Sequence, residues 1–165
     1  MTDLRKERTN KFIRESFNQL LTEQPFSKIT VAEIVKKAMI HRNTFYQHYD
    51  DKYDLLRSCI ANMVNDSDFS IEEFKVKPFT TIDQALMTNY PKILDRQAND
   101  EDFRHTTNNV LLSSITKKSD HRDIFWVIGK IAAIFIWNEM TNQNYDLIND
   151  YQELDEIYTT GIFPN

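Results

Sequence analysis

The stretch from His41 to Lys52, HRNTFYQHYDDK, sets a guanidinium, two amides, a threonine and three aromatics together, then two acids and a lysine. Wound as a helix with Phe45 underneath, it places His41 and Tyr49 on the inner side. Asn43, Thr44, Tyr46 and Gln47 fall on the outer side, with Arg42 at the margin. Each outer group has a partner in the major groove of DNA. Asn and Gln pair bidentately with adenine, Arg with guanine, and a threonine methyl meets the methyl of thymine. Tyr46 and His48 can hydrogen-bond phosphate oxygens. Lys52 falls at the start of a further helix, where backbone amides and the helix dipole favour an anion. His41 either joins the outer face or caps the helix and packs inward.

Other chemistry is poorly represented. His105 and His121 have no acidic or sulfur partner at metal-ligand spacing, so no metal is expected. Two glycines far apart make no phosphate-binding loop. There is no Ser/His/Asp signature, and the acidic runs Glu72-Glu73 and Asp100-Glu101-Asp102 read as loop or helix-start charges that complement a helix dipole. Neither a cofactor nor an enzymatic activity is expected.

The elements that must position the polar face are helical. The chain has 165 residues, 41% of them hydrophobic, with 2 Gly and 4 Pro. That is enough apolar material for a core and too few turn residues for a β-rich fold. A first helix runs from a cap at Thr2 or Asp3 to about Glu23, with Ile13, Phe17, Leu20 and Leu21 on one stripe, Phe12 off it, and Arg5, Lys6, Arg8 and Lys11 crowding its start. The run EQPFSK breaks it. Thr30 and Glu33 have capping-box spacing at the head of TVAEIVKKA, whose buried face is Val31, Ile34, Val35 and Ala38. After AMIH comes the polar stretch, and Asp50 or Asp51 caps KYDLLRSCIANMV. Two short helices a few residues apart have the spacing of a helix-turn-helix.

Charge divides along the chain. Residues 1–57 carry 11 Lys/Arg against 8 Asp/Glu, residues 58–165 carry 9 against 17, and the net is −5. Any polyanion must therefore meet the front. Cys59, the single cysteine, excludes an intramolecular disulfide and fits a reducing compartment, as apolar filler or as a sensor thiol. The N-terminus has no signal-peptide pattern. IFWVIGKIAAIFIW (Ile124 to Trp137) is shorter than the ~18 residues of a membrane span and contains Lys130. It reads as a buried helix. The expected location is the cytoplasm, with no membrane partner.

The run ITVAEIVKKAMIHRNTFYQHYDDKYDLL resembles the DNA-binding domain of TetR-family transcriptional regulators, above all in TFYQHYDDKYDLL, and FIRESFNQLL is similar to the family's first helix. The resemblance implies an all-α fold: a three-helix helix-turn-helix DNA-binding domain over residues 1–57, then a helical dimerisation and effector domain over 58–165. Carried over by position, Thr30 touches phosphate, Arg42, Asn43, Thr44 and Gln47 face base edges, and Tyr46, His48 and Lys52 grip the backbone. One position departs: where most of the family has glycine in the turn, this chain has Met39, which would be strained at positive φ, so a different turn conformation is expected.

GKIAAIFIWNEM and DLINDYQELDEIY are similar to the helices through which such proteins dimerise. Ile124, Phe125, Ile128, Ile131, Ala132, Phe135 and Ile136 are too many apolar residues for a helix with one wet side. Leu147, Tyr151, Leu154 and Tyr158 make a second stripe, and Gly129, Ala132 and Ala133 allow close approach of a partner helix. Met87, Tyr90, Phe103, His105, Asn108 and Asn109 either line a cavity for an aromatic or amphipathic effector or are plain core and surface. The reading is a homodimeric repressor that binds an inverted repeat in double-stranded DNA and is released by a small-molecule or protein effector. The alternative is a helical protein-interaction module or coactivator acting through its C-terminal domain.

Overall fold

Proline has no N–H and holds the residue before it out of the helical region, and α1 (Leu4–Glu23) stops just ahead of Pro25. One 3-10 turn (Phe26–Lys28) follows, then α2 (Val31–Lys37), α3 (Arg42–Tyr46) and α4 (Lys52–Asp66). The computed structural model describes residues 4–66, 70–118, 122–146 and 149–164, apart from the side chains at 87–89 and 118. Thr2 and Asp3, the expected caps of α1, lie outside these residues, as do His121 and Leu147. The later helices are α5 (Ile71–Val76), α6 (Pro78–Asn89), α7 (Pro91–Gln97), α8 (Glu101–Lys118), α9 (Ile124–Thr141) and α10 (Tyr151–Thr160). Among the described residues there is no strand. The fold is all-α.

The chain divides into two compact units, residues 1–62 with 92–110 and residues 63–91 with 111–165. The sequence pattern put a boundary after Arg57. The first unit instead runs on to Asn62 and takes in residues 92–110, because that later segment supplies both core and hydrogen bonds to it. Its centre is Phe26, which is fully buried and meets Phe17, Tyr53 and Phe103 edge-on at centroid distances of 6.2, 5.1 and 6.3 Å. Ile13, Phe17, Leu20 and Leu21 form the buried stripe of α1 as their spacing implied. Phe12 is 45% exposed with the Arg8 guanidinium over its ring. The break after α1 is held by polar side chains. Phe26 N–H donates to Gln97 Oε1 at 2.7 Å, Ser27 N–H to Asp100 Oδ2 at 2.8 Å, and Gln97 Nε2 to the carbonyls of Leu21 and Gln24 at 2.6 and 2.9 Å.

In the second unit, α6 packs on α5 and α10, and α10 on α9. Pro78 takes the first position of α6, where a missing N–H costs nothing. Asp155 of α10 then accepts from the N–H groups of Phe79 and Thr80 at 3.0 and 2.9 Å, a cap delivered from the far end of the chain. Leu154, Ile157 and Tyr158 are buried, and Tyr158 donates to the Lys75 carbonyl at 2.8 Å. The stripe expected on α10 is thus largely spent inside its own unit. α9 is different. Ile124, Val127, Ile131 and Ile134 are buried, but Phe125, Trp126, Ile136 and Met140 are 64, 80, 56 and 80% exposed. Gly129 and Ala133 lie on this open side as well, and a Cβ added at Gly129 would meet nothing within 4 Å. By length and composition α9 would pass for a membrane span, yet its inner side is part of the second unit's core.

Candidate nucleic-acid interface

The two short helices of the first unit are defined by caps written locally in the sequence. Thr30 and Glu33 form the full capping box: the Glu33 N–H donates to Thr30 Oγ1 at 3.3 Å, and the Thr30 N–H to Glu33 Oε2 at 2.8 Å. The Thr30 hydroxyl also donates to Glu33 Oε2 at 2.7 Å. These bonds, led by the hydroxyl, hold the Glu33 carboxyl below its ordinary value. At the other end of α2, Ile40 N–H reaches the Val35 carbonyl at 3.1 Å and Met39 N–H the Lys36 carbonyl at 3.3 Å. This is the Schellman arrangement, which needs a left-handed residue after the helix. Met39 supplies it at φ 53. The expectation of a different turn conformation is therefore corrected. The glycine-type turn is kept, the methionine bears the strain, and its side chain is 91% exposed.

α3 begins at His41, which is extended, exposed and makes no side-chain cap, so it does not pack inward. Beneath the helix Phe45 is fully buried, and Tyr49 is buried with its hydroxyl on Asn10 of α1. Arg42, Asn43, Tyr46 and Gln47 are exposed, whereas Thr44 and His48 are half-buried. The Arg42 guanidinium lies over the Tyr46 ring at 5.6 Å and donates to its hydroxyl at 3.1 Å, so each steadies the other one turn apart. Burial, with help from the nearby Lys6 ammonium, pushes the His48 imidazole below its ordinary pKa. It also brings the basic start of α1 into electrostatic reach of the end of α3.

Lys52 stands apart from the rest. Its ammonium donates to the carbonyls of Phe26, Ser27 and Ile29 at 2.9, 3.0 and 2.9 Å and sits over the Phe26 ring at 4.6 Å. Burial lowers its pKa, against the pull of Asp102, Asp100 and Glu33. Three donors are all an ammonium has, so a phosphate could be held only by breaking one of these bonds. The start of α4 is already served by Asp51, which accepts from the Asp54 N–H at 2.7 Å.

Gln97 and Asp100 were not read from the sequence as part of this region. Asp100 does start α8, accepting from the Phe103 N–H at 2.9 Å, as its place in an acidic run suggested. Its second bond, to Ser27, has no local signature. Burial alone would raise the Asp100 carboxyl, but the Ser27 and Phe103 donors and Lys52 outweigh it and hold it below the ordinary range. Phe103 is core of the first unit, His105 is exposed beside Asn109, and Asn108 is half-buried on the same helix, while Tyr90 belongs to the second unit. The Met87 side chain lies outside those described. A cavity of about 10 Å³ in the second unit is lined by Met63, Phe74, Ile82, Leu86, Leu111 and Ile115 among others. Burial pushes the Cys59 thiol up to about 12, which keeps it protonated and favours the apolar-filler reading. No group of three or more metal-binding side chains occurs among the described residues.

Residues 16–59 match the model of the family described as bacterial regulatory proteins, tetR family. Over these residues the chain is similar to the TetR family. The matched residues include α2, α3, the Met39 turn and Lys52. A curated relative, the uncharacterised HTH-type transcriptional regulator YxbF of Bacillus subtilis strain 168, is 39% identical over 59 residues, which is 35% of this chain and 16% of the relative's length. The fold of a TetR transcriptional regulator from Rhodococcus sp. RHA1 covers 96% of this chain and 99% of its own, with a TM-score of 0.58 and 12% identity. The TetR family consists of regulators rather than enzymes.

Proposed function

We propose that this protein is a sequence-specific transcription regulator that reads double-stranded DNA with α3. The observation that carries this is the exposed row Arg42, Asn43, Tyr46 and Gln47 on a helix held from beneath by Phe45 and Tyr49, within a TetR-family domain. Arg42, Asn43 and Gln47 have the donors and acceptors for base edges. Tyr46 and His48 meet phosphates, Thr30 joins them only by turning its hydroxyl proton away from Glu33, and Thr44, half-buried, has a methyl suited to thymine. The protein works in the cytoplasm as a homodimer, and the open apolar side of α9 supports that state: a monomer would leave Phe125, Trp126, Ile136 and Met140 in water. Two reading heads then address an inverted repeat with half-sites one helical turn, ~34–36 Å, or a multiple apart.

The regulator acts as a repressor relieved by an effector bound in the second unit. The apolar cavity there has room for about one water, so an effector enters only by widening it and favours the widened state. By linkage, DNA then weakens the effector as much as the effector weakens DNA. The test is selection of bound fragments from randomised duplex DNA at physiological salt. An enriched inverted repeat, with affinity falling steeply as salt rises, is the expected outcome. A folded dimer that enriches nothing refutes the proposal.

A further inference from the structure

The reading helix α3 packs on α2, and α2 on α1, so the angle at which α3 is presented depends on the junction between α1 and α2. That junction is the 3-10 turn, and it is gripped from two sides. Gln97, 1% exposed, and Asp100, 6% exposed, take the N–H groups of Phe26 and Ser27 at 2.7 and 2.8 Å. Lys52 takes the carbonyls of Phe26, Ser27 and Ile29 at 2.9, 3.0 and 2.9 Å. Five of the turn's polar groups are thereby bonded to three side chains from α4, α7 and the start of α8. Hydrogen bonds have direction, which apolar packing lacks, so five of them converging on one partly buried turn favour one geometry.

We propose that Lys52, Gln97 and Asp100 are positioning residues for DNA reading, which hold the α1–α2 junction, and through it α2 and α3, without touching DNA. This rests on the DNA-reading function proposed above. It gives Lys52 a role opposite to the phosphate contact its sequence position suggested: its protons are directed into the domain. It also makes residues 97–100 part of the DNA-binding unit although they lie outside the stretch that matches the family.

The experiment uses the full-length chain, its Lys52→Met and Asp100→Asn variants, and the duplex enriched by the wild type, with affinity measured across a salt series. Loss of a true phosphate contact in both subunits of the dimer flattens the plot of log affinity against log salt by about 1.8, about 0.9 for each. Lys52→Met is expected to weaken binding about tenfold at every salt, on a line parallel to the wild type. A flattened slope, or unchanged affinity, overturns the proposal. Asp100→Asn removes a negative charge, so electrostatics alone would tighten binding. Weaker binding supports positioning; equal or tighter binding overturns it, and this variant decides alone should Lys52→Met fail to fold by circular dichroism. A wild type without salt-dependent DNA affinity refutes the DNA-reading function and this inference with it, whereas the variants' slopes and affinities bear on this inference only.

Discussion

Met39→Gly should stabilise the protein, although it removes a large side chain from a helix-turn-helix. Met39 sits at φ 53 and closes the Schellman bonds at the end of α2. An L-residue in the left-handed region costs about 1–2 kcal/mol, and glycine removes that cost. Glycine also gives the unfolded chain more freedom, which takes back about 0.5–1 kcal/mol. Burial contributes almost nothing, since the methionine is 91% exposed. The balance is a gain of about 0–1.5 kcal/mol, centred on about 0.75, or a rise in Tm of at most about 6 °C for a chain of this size. Urea unfolding followed by far-ultraviolet circular dichroism measures it, with an unchanged m-value expected. Met39→Val is the counterpart: β-branching makes positive φ worse, so it should lose stability. If glycine is neutral or destabilising while valine is tolerated, the turn is not strained and the reasoning fails. DNA affinity should be the same in wild type and Met39→Gly, because the turn keeps its conformation.

Gln47→Ala should relax preference at particular base pairs by about 1–3 kcal/mol, read by repeating the duplex selection. Tyr46→Phe should loosen Arg42, so its effect and that of Arg42→Ala should be less than additive in a double-mutant cycle; strict additivity would mean that the hydroxyl does not brace the guanidinium. Asp155→Ala leaves the N–H groups of Phe79 and Thr80 without their acceptor and should cost about 1–3 kcal/mol, visible in tryptophan fluorescence because Trp126 and Trp137 are both in the second unit. Ile136→Asp, at a site 56% exposed, should leave the fold intact and yield a monomer in sedimentation velocity; a persistent dimer would remove α9 from the interface. Glu33 and Asp100 are held below their ordinary values of 4.5 and 3.8. Their stabilisation is complete above those values and lost as pH falls through the lowered ones, so Glu33→Gln should flatten the acid end of the stability curve and leave its neutral end unshifted in slope.

Much of the first unit could be read directly because its signals are local. Pro25 ends α1, Thr30 and Glu33 are three residues apart, Asp51 and Asp54 likewise, and Phe45 with Tyr49 marks the inner side of α3 at one-turn spacing. Helical periodicity, capping and chain breaks act over a few residues, so residue types suffice to reveal them. The fine exposure of that face was less legible. His41, placed inward by an ideal wheel, is exposed, and Thr44, placed outward, is half-buried; α3 spans only five residues, and its ends are set by the flanking turns.

What only the tertiary structure decided is which distant groups meet. Gln97 lies 71 residues from Phe26, and Asp155 lies 76 from Phe79; nothing in either neighbourhood names its partner. A buried N–H must find an acceptor, but the chain can bring one from anywhere, and packing chooses. The same choice moved Phe103 from a supposed pocket into the core around Phe26 and turned Lys52 inward onto three carbonyls. It also spent the stripe of α10 within its unit and left that of α9 open. Local sequence determined the helices and the polar face that α3 presents, whereas long-range packing determined what holds that face in place, since a side chain's partner depends on the fold of the entire unit.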